Sequence, residues 1–470
     1  MRSTSPLDPV YLISRALKGR KKHCFALISR TPSGCNSIYD VIIGTLMNFA
    51  QALSYLLSLG HETLTIKLGL ENTETLLEAL ENPHQNFPSV QIAGTNGKGS
   101  TAAFLDSICR AAGIRTGLFT SPHLISITER VRIAGESISE AEFARLTSLV
   151  RSTAEALVSE GKLETLPTFF EHVTAIALVA FREAQVELAI LETGLGGRLD
   201  STTAARADVV GITPVAMDHE QYLGHTIEEI AAEKAAIIRP GVAAIIAPQE
   251  PAVLKVFGRR CETAGVEPRL VDPASVAGAI LGLRGHHQEI NAATAVTVAE
   301  ELQRRGFEIP RPAILDGLRT TRHPGRLELW HTHPPILFDG AHNPASAQAL
   351  RNYLDEFVSQ PITMIFGAMR DKPLDQLAKI LFPKARDLIL TGIDNPRAAL
   401  PEELKAALPD ALETSRIHEA SSPVEAVRIA REITPSGALI VVTGSLYLIG
   451  ETQMMLQTPT AAVAREDLSH

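Results

Sequence analysis

Short apolar runs alternate along the chain with longer segments whose apolar residues recur at helical spacing. The first clear run, Ser89–Ala93, is typical of a buried parallel strand, and a helical pattern follows it as far as Gly113. Further strands are predicted over residues 116–120, 186–191, 209–215 and 242–247. Helices are predicted over residues 140–152, 173–183 and 226–238, with residues 167–171 as a loop before the second. This alternation predicts an α/β fold built on a mostly parallel, doubly wound sheet.

A second, smaller series of alternating elements begins near Pro335. Its strands are predicted over residues 336–338, 362–366, 388–391 and 438–443, and its helices over 345–358, 374–381, 401–408 and 423–433. Before this series, an Ala-rich helix over residues 286–305 holds Asn291, and a His-Pro-Gly-Arg segment ending at Arg326 breaks the pattern. We therefore predict one α/β domain over residues 47–327, a smaller Rossmann-like domain over 328–457, and a frayed tail over 458–470.

Residues 1–46 differ in composition from the rest of the chain. They carry seven Lys and Arg residues against two Asp residues, a local charge of +5. From Met47 the pattern becomes regular, and an amphipathic helix begins near Phe49. The favoured interpretation is that translation begins at Met47 and that residues 1–46 are a non-native or disordered extension. A transit peptide is the alternative.

Composition narrows the class of protein. With 470 residues the chain exceeds the size at which one core stops growing, which agrees with two domains. A formal net charge of -9 argues against a protein that wraps nucleic acid or binds an anionic membrane. The four cysteines are scattered without metal-ligand or disulfide spacing, and no apolar run is long enough to span a bilayer. We expect a cytoplasmic protein that binds neither nucleic acid nor membrane.

A glycine-rich turn after the first strand carries the strongest chemical signal. It reads Gly-Thr-Asn-Gly-Lys-Gly-Ser over residues 94–100 and places Lys98 inside the turn. Such a turn aims backbone N–H groups and the positive end of a helix at an anion, and the lysine adds charge for nucleotide phosphates. The spacing departs from the common phosphate-loop motif, because Ile92 replaces its first glycine and Gly99 its hydroxyl residue. The alternative is an ordinary turn that leaves Lys98 in solvent.

Polar residues follow other strands of the same predicted sheet. Ser121, Glu192 and His219 each come after a strand, at the edge where ligands bind in such sheets. A bound triphosphate needs Mg²⁺, for which a hydroxyl and a carboxylate are suitable ligands. His219 is a softer ligand, so a hydrogen-bonded polar histidine is the alternative for it.

Three further residues are open to interpretation. Lys234 lies in a predicted helix and is most simply a surface lysine paired with Glu233 or Glu229. Arg326 either reaches a phosphate across the cleft between the domains or is a solvated linker residue. Asp339, at the end of a strand in the second domain, is suited to fix a ribose or a base. A second domain that closes over a nucleotide suits a reaction whose intermediate must be kept from water.

Together these motifs resemble the folylpolyglutamate synthase/dihydrofolate synthase family of the Mur ligase superfamily. The matching segments run in family order from about Met47 to Glu451 and leave residues 1–46 outside. They are Gly-Thr-Asn-Gly-Lys-Gly-Ser (94–100), Thr-Ser-Pro-His-Leu (120–124), Thr-Phe-Phe-Glu (168–171), Glu-Thr-Gly-Leu-Gly-Gly-Arg-Leu-Asp (192–200), Asp-His (218–219), Leu-Gly-His-Thr (223–226), Glu-Lys-Ala (233–235), Pro-Gly-Arg (324–326), Asp339 with Ala-His-Asn-Pro (341–344), and Gly-Ser-Leu-Tyr (444–447). The resemblance implies a P-loop-type ATPase domain of the Mur ligase type, followed by a Rossmann-like glutamate-ligase domain.

The resemblance also implies an ATP-dependent amide ligase that activates a carboxylate as an acyl phosphate and joins it to the amine of L-glutamate. The implied acceptors are dihydropteroate and reduced folates, and the implied cofactors are ATP and Mg²⁺ in two sites. The residues matched to ATP binding are Thr95, Asn96, Gly97, Lys98, Gly99, Ser100, Asn291, Arg326 and Asp339. Those matched to dihydropteroate or folate binding are Thr168, Phe169, Phe170, Glu171, Leu199, Asp200 and Ser201.

The metal ligands and catalytic residues follow from the same resemblance. It implies that Ser121 and Glu192 hold one Mg²⁺ and that His219 holds a second. Lys234 matches a lysine that this family carboxylates on its side-chain nitrogen, and the modified group would support the second metal. Lys98, Lys234 and His342 are the candidate catalytic residues, the last of them by placing glutamate.

The leading hypothesis is a monomeric, bifunctional dihydrofolate and folylpolyglutamate synthase. A synthase that only extends folates is the alternative within the same class. A cell-wall Mur ligase is a related alternative, against which the glycines of residues 194–197, followed by Arg198 and Asp200, argue. A nucleotide-binding switch without ligase chemistry is the alternative from another class, and it leaves the two-domain cleft and the pair formed by Glu192 and His219 without a purpose.

Overall fold

Two β-sheets flanked by helices make up the computed structural model, which describes residues 46–60, 69–408 and 416–457. The predictions for residues 1–45 and for the tail over residues 458–470 concern parts of the chain outside the described residues. The helices of the described part contain no segment that is both long enough and apolar enough to cross a membrane.

The first sheet contains eight strands in the order β4-β3-β2-β5-β1-β6-β7-β8. The strands are β1 Ser89–Ala93, β2 Thr116–Phe119, β3 Val131–Ile133, β4 Glu136–Ser137, β5 Leu188–Glu192, β6 Val209–Ile212, β7 Ala243–Ile246 and β8 Arg269–Leu270. All neighbours pair in parallel except β2 with β3 and β3 with β4. The predicted mostly parallel α/β sheet is therefore confirmed, while its antiparallel edge was not foreseen.

Ten helices accompany this sheet in the described residues. They are α1 Phe49–Ser58, α2 Glu71–Ala79, α3 Lys98–Ala111, α4 Glu140–Ser159, α5 Phe169–Glu183, α6 Glu220–Leu223, α7 Ile227–Ala235, α8 Pro251–Ala264, α9 His287–Arg304 and α10 Arg311–Thr320. The prediction that residues 167–171 form a loop is wrong for its last three residues, which are the first turn of α5. Thr168 caps this helix, because its hydroxyl oxygen accepts a hydrogen bond from the Glu171 N–H at 3.4 Å. The Glu171 carboxylate in turn accepts from the Thr168 N–H at 2.7 Å, which completes a capping box.

The side chains of β5 show why the sheet carries helices on both faces. Leu188 and Ile190 pack into an apolar cluster with residues of α3 and α9. Ala189 and Leu191 pack into another cluster with residues of α4 and α5. Because successive side chains of a strand point to opposite faces, both faces of this strand are covered. Its continuous apolar run, rather than an alternating one, follows from that burial.

The second sheet contains six strands in the order β13-β12-β11-β14-β10-β9. The strands are β9 Glu328–Trp330, β10 Ile336–Asp339, β11 Ile362–Phe366, β12 Asp387–Thr391, β13 Ile417–Ala420 and β14 Leu439–Thr443. Its helices are α11 Pro344–Phe357, α12 Leu374–Leu381, α13 Pro401–Ala406, α14 Pro423–Ile433 and α15 Leu446–Gln457. Only β9 is antiparallel to its neighbour, so the predicted smaller α/β unit has the expected parallel core.

The two sheets are joined by direct packing as well as by the chain. Leu124, in the loop after β2, packs against an apolar cluster of the second sheet that includes Leu448 and Ile449 of α15. At Gly450 the backbones approach so closely that an added Cβ would lie 1.9 Å from the Leu124 carbonyl oxygen. The loop that contains Ser121 is therefore held in place from the second sheet.

We expect the free energy of unfolding to fall by about 3 kcal/mol from neutral pH to pH 4 because of His172. This buried side chain on α5 lies 3.0 Å from the Tyr55 hydroxyl, and its burial lowers the pKa to about 4 from a usual value of 6.5. Between those values only the unfolded chain takes up the proton, so acid favours unfolding. Urea titrations of the wild type and of His172→Gln at both pH values check this. Equal acid losses in the two proteins would contradict it.

Candidate functional site

A glycine-rich loop connects β1 to α3 and places its backbone against other strand ends. Gly97 has a φ of +89°, and an added Cβ would lie 2.1 Å from Asn291 Oδ1. Asn291 in turn donates to Gln288 Oε1 at 2.9 Å, and Gln288 Nε2 lies 3.3 Å from Ser100 Oγ. The predicted nucleotide residue Asn291 is therefore brought against the loop, at a position where only glycine fits.

Lys98 begins α3 and is held inside this loop. Its Nζ donates to the carbonyl oxygens of Gly94 at 3.2 Å and Thr95 at 3.1 Å. Burial lowers the pKa of Lys98, while the carboxylates of Glu192 and Asp218 oppose that shift. The alternative of a lysine that projects into solvent is therefore wrong. A cation fixed at the N-terminus of a helix is suited to bind a phosphate group.

Glu192 and Ser121 meet beside the same loop. The Glu192 side chain, at the end of β5, accepts a hydrogen bond from the Ser121 N–H at 3.1 Å. An added Cβ at Gly99 would lie 3.3 Å from Glu192 Oε2, so the carboxylate lies over the first turn of α3. Burial raises the pKa of Glu192, and the positive charges of Lys98 and Arg326 oppose this shift.

The oxygen atoms of Glu192 and Ser121 suit a hard cation that takes its remaining ligands from water and phosphate. Within the described residues, no three His, Cys, Asp or Glu side chains are grouped as a metal site. Glu192 and the neighbouring Ser121 offer oxygen ligands, and phosphate oxygens and water would have to supply the others. That chemistry is typical of Mg²⁺, which binds few protein groups.

Asp218 and three residues near the second sheet form a polar contact that the sequence prediction missed. Lys372 Nζ lies 2.6 Å from Asp218 Oδ1, Asn343 Nδ2 lies 3.0 Å from Oδ2, and His342 Nε2 lies 3.6 Å from Oδ2. Burial alone would raise the pKa of Asp218, but His342, His219 and Lys372 hold it well below its usual value. All of these residues follow strand ends, so the rule that indicated His219 would also have found Lys372 and Asn343.

His219 is adjacent to this contact in a left-handed backbone conformation, with a φ of 53°. Its Nε2 lies 3.9 Å from Asp218 Oδ1, which is too long for a hydrogen bond. Burial lowers the pKa of His219 to about 4, the Asp218 carboxylate opposes that shift, and the charge of Lys372 adds to it. The imidazole is therefore neutral near pH 7, as a metal-binding histidine must be.

Lys234 is buried, with 3% of its surface exposed, on the side of α7 that faces the loop after β5. An added Cβ at Gly197 would lie 3.2 Å from the Lys234 Cα, so the glycine permits this close packing. Burial lowers the pKa of Lys234 to about 7, with a smaller effect of the Lys98 charge. The interpretation of Lys234 as a surface lysine is wrong, because its side chain is buried. One of its two predicted partners, Glu233, pairs with Arg198 instead.

Arg326 and Asp339 lie where the chain passes into the second sheet. Asp339 accepts hydrogen bonds from the N–H groups of Leu327 at 3.0 Å and Ala341 at 3.1 Å. Burial lowers the pKa of Arg326 and raises that of Asp339, and each charge opposes the shift of the other. The alternative of a solvated linker arginine is wrong, because Arg326 is held by the Gly325 carbonyl oxygen at 3.2 Å and lines the same cavity as Asp339 and the phosphate loop.

The segments assigned to the pterin side converge on the loop after β5. Asp200 accepts hydrogen bonds from the N–H groups of Gly194 and Leu195, each at 2.9 Å, and therefore fixes the shape of this loop. An added Cβ at Gly194 would lie 2.5 Å from the Phe170 ring, so the glycine leaves space for that side chain. Phe169 points elsewhere, because it is 4% exposed and packs beneath Arg130.

These side chains line one cavity of about 790 Å³, a size that suits a cofactor or a small-molecule substrate. Every residue that the sequence assigned to the site contributes to its lining except Phe169. Lys372, Arg397 and Ser445 from the second sheet also line it. The arrangement can bind phosphates at one place, a divalent cation beside them, and an anionic substrate at the cationic end.

Two family models match the chain, the Mur ligase middle domain over residues 92–264 and the Mur ligase glutamate ligase domain over residues 325–446. A dihydrofolate synthase/folylpolyglutamate synthase of Bacillus subtilis is 34% identical over 417 residues, which cover 83% of this chain and 96% of that protein.

Two solved structures extend the similarity to the fold. Escherichia coli FolC in complex with DHPP and ADP gives a TM-score of 0.77 at 29% identity, covering 87% of this chain and 98% of that one. A bifunctional folylpolyglutamate synthase/dihydrofolate synthase with Mn, AMPPNP and L-glutamate bound gives 0.76 at 28% identity, covering 88% and 100%. The similarity therefore extends over most of the chain and includes the fold of both sheets.

Proposed function

The chain belongs to the folylpolyglutamate synthase/dihydrofolate synthase family of Mur ligases, and on that premise we propose that it joins L-glutamate to dihydropteroate, to reduced folates or to both. It is an ATP-dependent glutamate ligase of that type. The observation that carries the proposal is the single cavity lined by the phosphate loop, the Glu192 carboxylate and the cationic residues beside the second sheet. One site can therefore bring a nucleotide, a carboxylate and an amino acid together.

The proposed reaction has two steps. The γ-phosphoryl group of ATP passes to the substrate carboxylate, which gives an acyl phosphate and ADP. The amine of L-glutamate then attacks the carbonyl carbon, the bond to the phosphate oxygen breaks, and an amide, inorganic phosphate and a proton are released. Both steps depend on placing the reactants and neutralising charge, with little covalent chemistry for the protein.

The nucleotide is assigned to the phosphate loop and to three further residues that line the same cavity. Residues 95–100 would bind the phosphates with their backbone N–H groups, and Lys98 would add its charge. Asn291, Arg326 and Asp339 would contact the rest of the nucleotide, since all three line the same cavity as the loop. ATP is supported as the nucleotide because the similar structures contain ADP or AMPPNP.

A divalent cation, Mn in the similar structure, would lie beside the phosphates. We propose Mg²⁺ in two sites, the first held by Ser121 and Glu192 and the second by His219 with a carboxylated Lys234. Such ions supply charge neutralisation for the transferred phosphoryl group. The chain itself contributes the buried surroundings of Glu192 and Lys234, where charge interactions are stronger than in water.

The two organic substrates are assigned to opposite parts of the cavity. Thr168, Phe170, Glu171 and residues 199–201 would contact the pterin-bearing substrate, with Phe169 supporting them from the core. His342, Lys372 and Arg397 come from loops of the second sheet and line the same cavity, and we assign them to the carboxylates of L-glutamate, at what we call the glutamate end. This division places the glutamate amine on the side of the second sheet.

We also propose that the chain forms two domains, over residues 47–327 and 328–457. That the protein is a monomer stays a prediction. The strands of the first sheet lie before residue 271 and those of the second begin at Glu328, which supports the boundary. The family models likewise match separate segments, residues 92–264 and 325–446.

A glutamate-dependent ADP-release assay with dihydropteroate and tetrahydrofolate supplied separately tests the function. We expect sustained ADP release only when ATP, L-glutamate and an acceptor are all present, because the acceptor carboxylate takes up the phosphoryl group and the glutamate amine then discharges the acyl phosphate. No ADP with dihydropteroate would remove the dihydrofolate synthase activity and leave a synthase that only extends folates. Nucleotide turnover that ignores glutamate and both acceptors would contradict the proposal and favour a nucleotide-binding switch.

A further inference from the structure

We propose that Asn343 is a positioning residue that sets the distance between the phosphate loop and the glutamate end of the cavity. The proposal rests on the proposed ligase function and assigns a role to a residue outside the predicted site. Asn343 follows β10 and is 1% exposed, so its side-chain amide is closed off from solvent.

One part of the Asn343 amide caps α11. Its Oδ1 accepts a hydrogen bond from the Ser346 N–H at 2.9 Å. The Ser346 hydroxyl oxygen in turn accepts from the N–H groups of His342 and Asn343, each at 3.1 Å. This local arrangement fixes the backbone of His342. A serine or threonine at position 343 would cap the helix as well, so capping alone does not require asparagine.

The other part of the amide reaches loops that follow strands of the first sheet. Asn343 Nδ2 donates to Asn96 Oδ1 and to Asp218 Oδ2, both at 3.0 Å, and Asn96 Nδ2 donates back to Asn343 Oδ1 at 3.3 Å. Two donors and two acceptor positions are then all used, which is the full capacity of an asparagine side chain. A buried amide with no spare capacity has one favoured orientation.

These bonds join the two ends of the proposed reaction. Asn96 belongs to the phosphate loop, and Asp218 also holds Lys372 and lies near His342 at the glutamate end. A shift of the second sheet would stretch the bonds from Asn343 to both residues at once. Since an error of about 1 Å in reactant placement can cost about a hundredfold in rate, this amide controls attack on the acyl phosphate.

Asn343→Ser separates the positioning role from the capping role. The hydroxyl keeps a cap for α11 but is too short to reach Asn96 and Asp218. Asn48→Ser is the matched control, since Asn48 caps α1 through the Gln51 N–H at 2.9 Å and is exposed. The measurements are the kcat/KM for L-glutamate, the ADP released per amide bond formed, and the Tm.

We expect Asn343→Ser to lower kcat/KM for L-glutamate by roughly tenfold to a hundredfold, the loss expected from two buried hydrogen bonds. ADP released per amide bond should rise above one, because a misplaced amine leaves the acyl phosphate to water. The Tm should fall further than in Asn48→Ser, because two buried hydrogen bonds are lost, whereas Asn48→Ser should keep the wild-type kinetics. The ADP ratio is the readout that a loss of stability alone would not move. The proposal would be overturned if Asn343→Ser released one ADP per amide bond and kept kcat/KM for L-glutamate within about threefold of the wild type. Loss of the two buried hydrogen bonds predicts a decrease of about tenfold or more.

A double-mutant cycle in unfolding stability tests the bridge without any substrate. Asn96→Ser and Asn343→Ser break the same pair of hydrogen bonds, so the double variant should lose less stability than the two single losses added together. Fully additive losses would contradict the bridge. A wild type that forms no amide would instead refute the proposed function, and the cycle would still decide on Asn343.

Discussion

Lys98→Ala should lower glutamate-dependent ADP release by about a thousandfold or more while the fold remains intact. The Lys98 ammonium is held by the Gly94 and Thr95 carbonyl oxygens at the start of α3, where the backbone N–H groups also point. Removing it takes away the cation that would neutralise the transferred phosphoryl group. Alanine fits a first helical turn, so the circular dichroism spectrum should be unchanged.

Lys379→Ala is the matched control for this variant. Lys379 lies on α12 with its side chain 67% exposed, and its ion pair with Asp375 at 3.6 Å is on the surface. The control should keep wild-type turnover. Loss of a contact made in the transition state predicts a rate far below about a tenth of the wild-type rate. If Lys98→Ala formed the amide faster than about a tenth of that rate, the phosphate-binding role of Lys98 would be contradicted.

Lys234→Ala should lose activity by at least about a hundredfold and regain part of it when acetate or propionate is added. The reason is that the Lys234 side chain is buried and lines the cavity, so that shortening it to alanine leaves space for a small carboxylate. Rescue would indicate that the wild-type residue carries a carboxylate-like group. Turnover across a series of short acids of increasing size measures it.

The same acids added to Lys98→Ala provide the control for rescue. They should have no effect there, because that variant lacks a cation rather than an anion. Full unassisted activity of Lys234→Ala would mean that the residue only packs α7 against the loop after β5. A mass increase of one carboxyl group on intact wild-type protein, absent from the variant, would support the modification directly.

Much of the fold follows from patterns that are local in sequence. The buried strands β1, β5 and β14 are short and mostly apolar, and the helices between them have clear caps, such as the Thr226 and Glu229 box that begins α7. The antiparallel strands β3 and β4 were not predicted, because they are three and two residues long and lie at a sheet edge. Such strands carry too few residues for a period to be detected.

Site residues were predictable from the sequence where several of them lie in one segment. They were less predictable where the fold brings together residues that are far apart in sequence. The phosphate loop and Glu192 were found because each follows a buried strand directly. Lys234 was assigned to the surface from its acidic neighbours, yet the helix turns it inward against Gly197. Lys372 meets Asp218 across 154 positions of sequence, and only the packing of the two sheets brings them together.

The close contact between Leu124 and Gly450 limits how members of this family can be recombined. A chimaera that took its glutamate-ligase half from a relative with any side chain at position 450 would drive a Cβ into the Leu124 carbonyl oxygen. The displaced backbone would carry Ser121 with it. A functional chimaera therefore has to take the segment around residue 124 and α15 from the same parent. Chimaeras with and without this matched pair should differ in their binding of Mn²⁺ with AMPPNP.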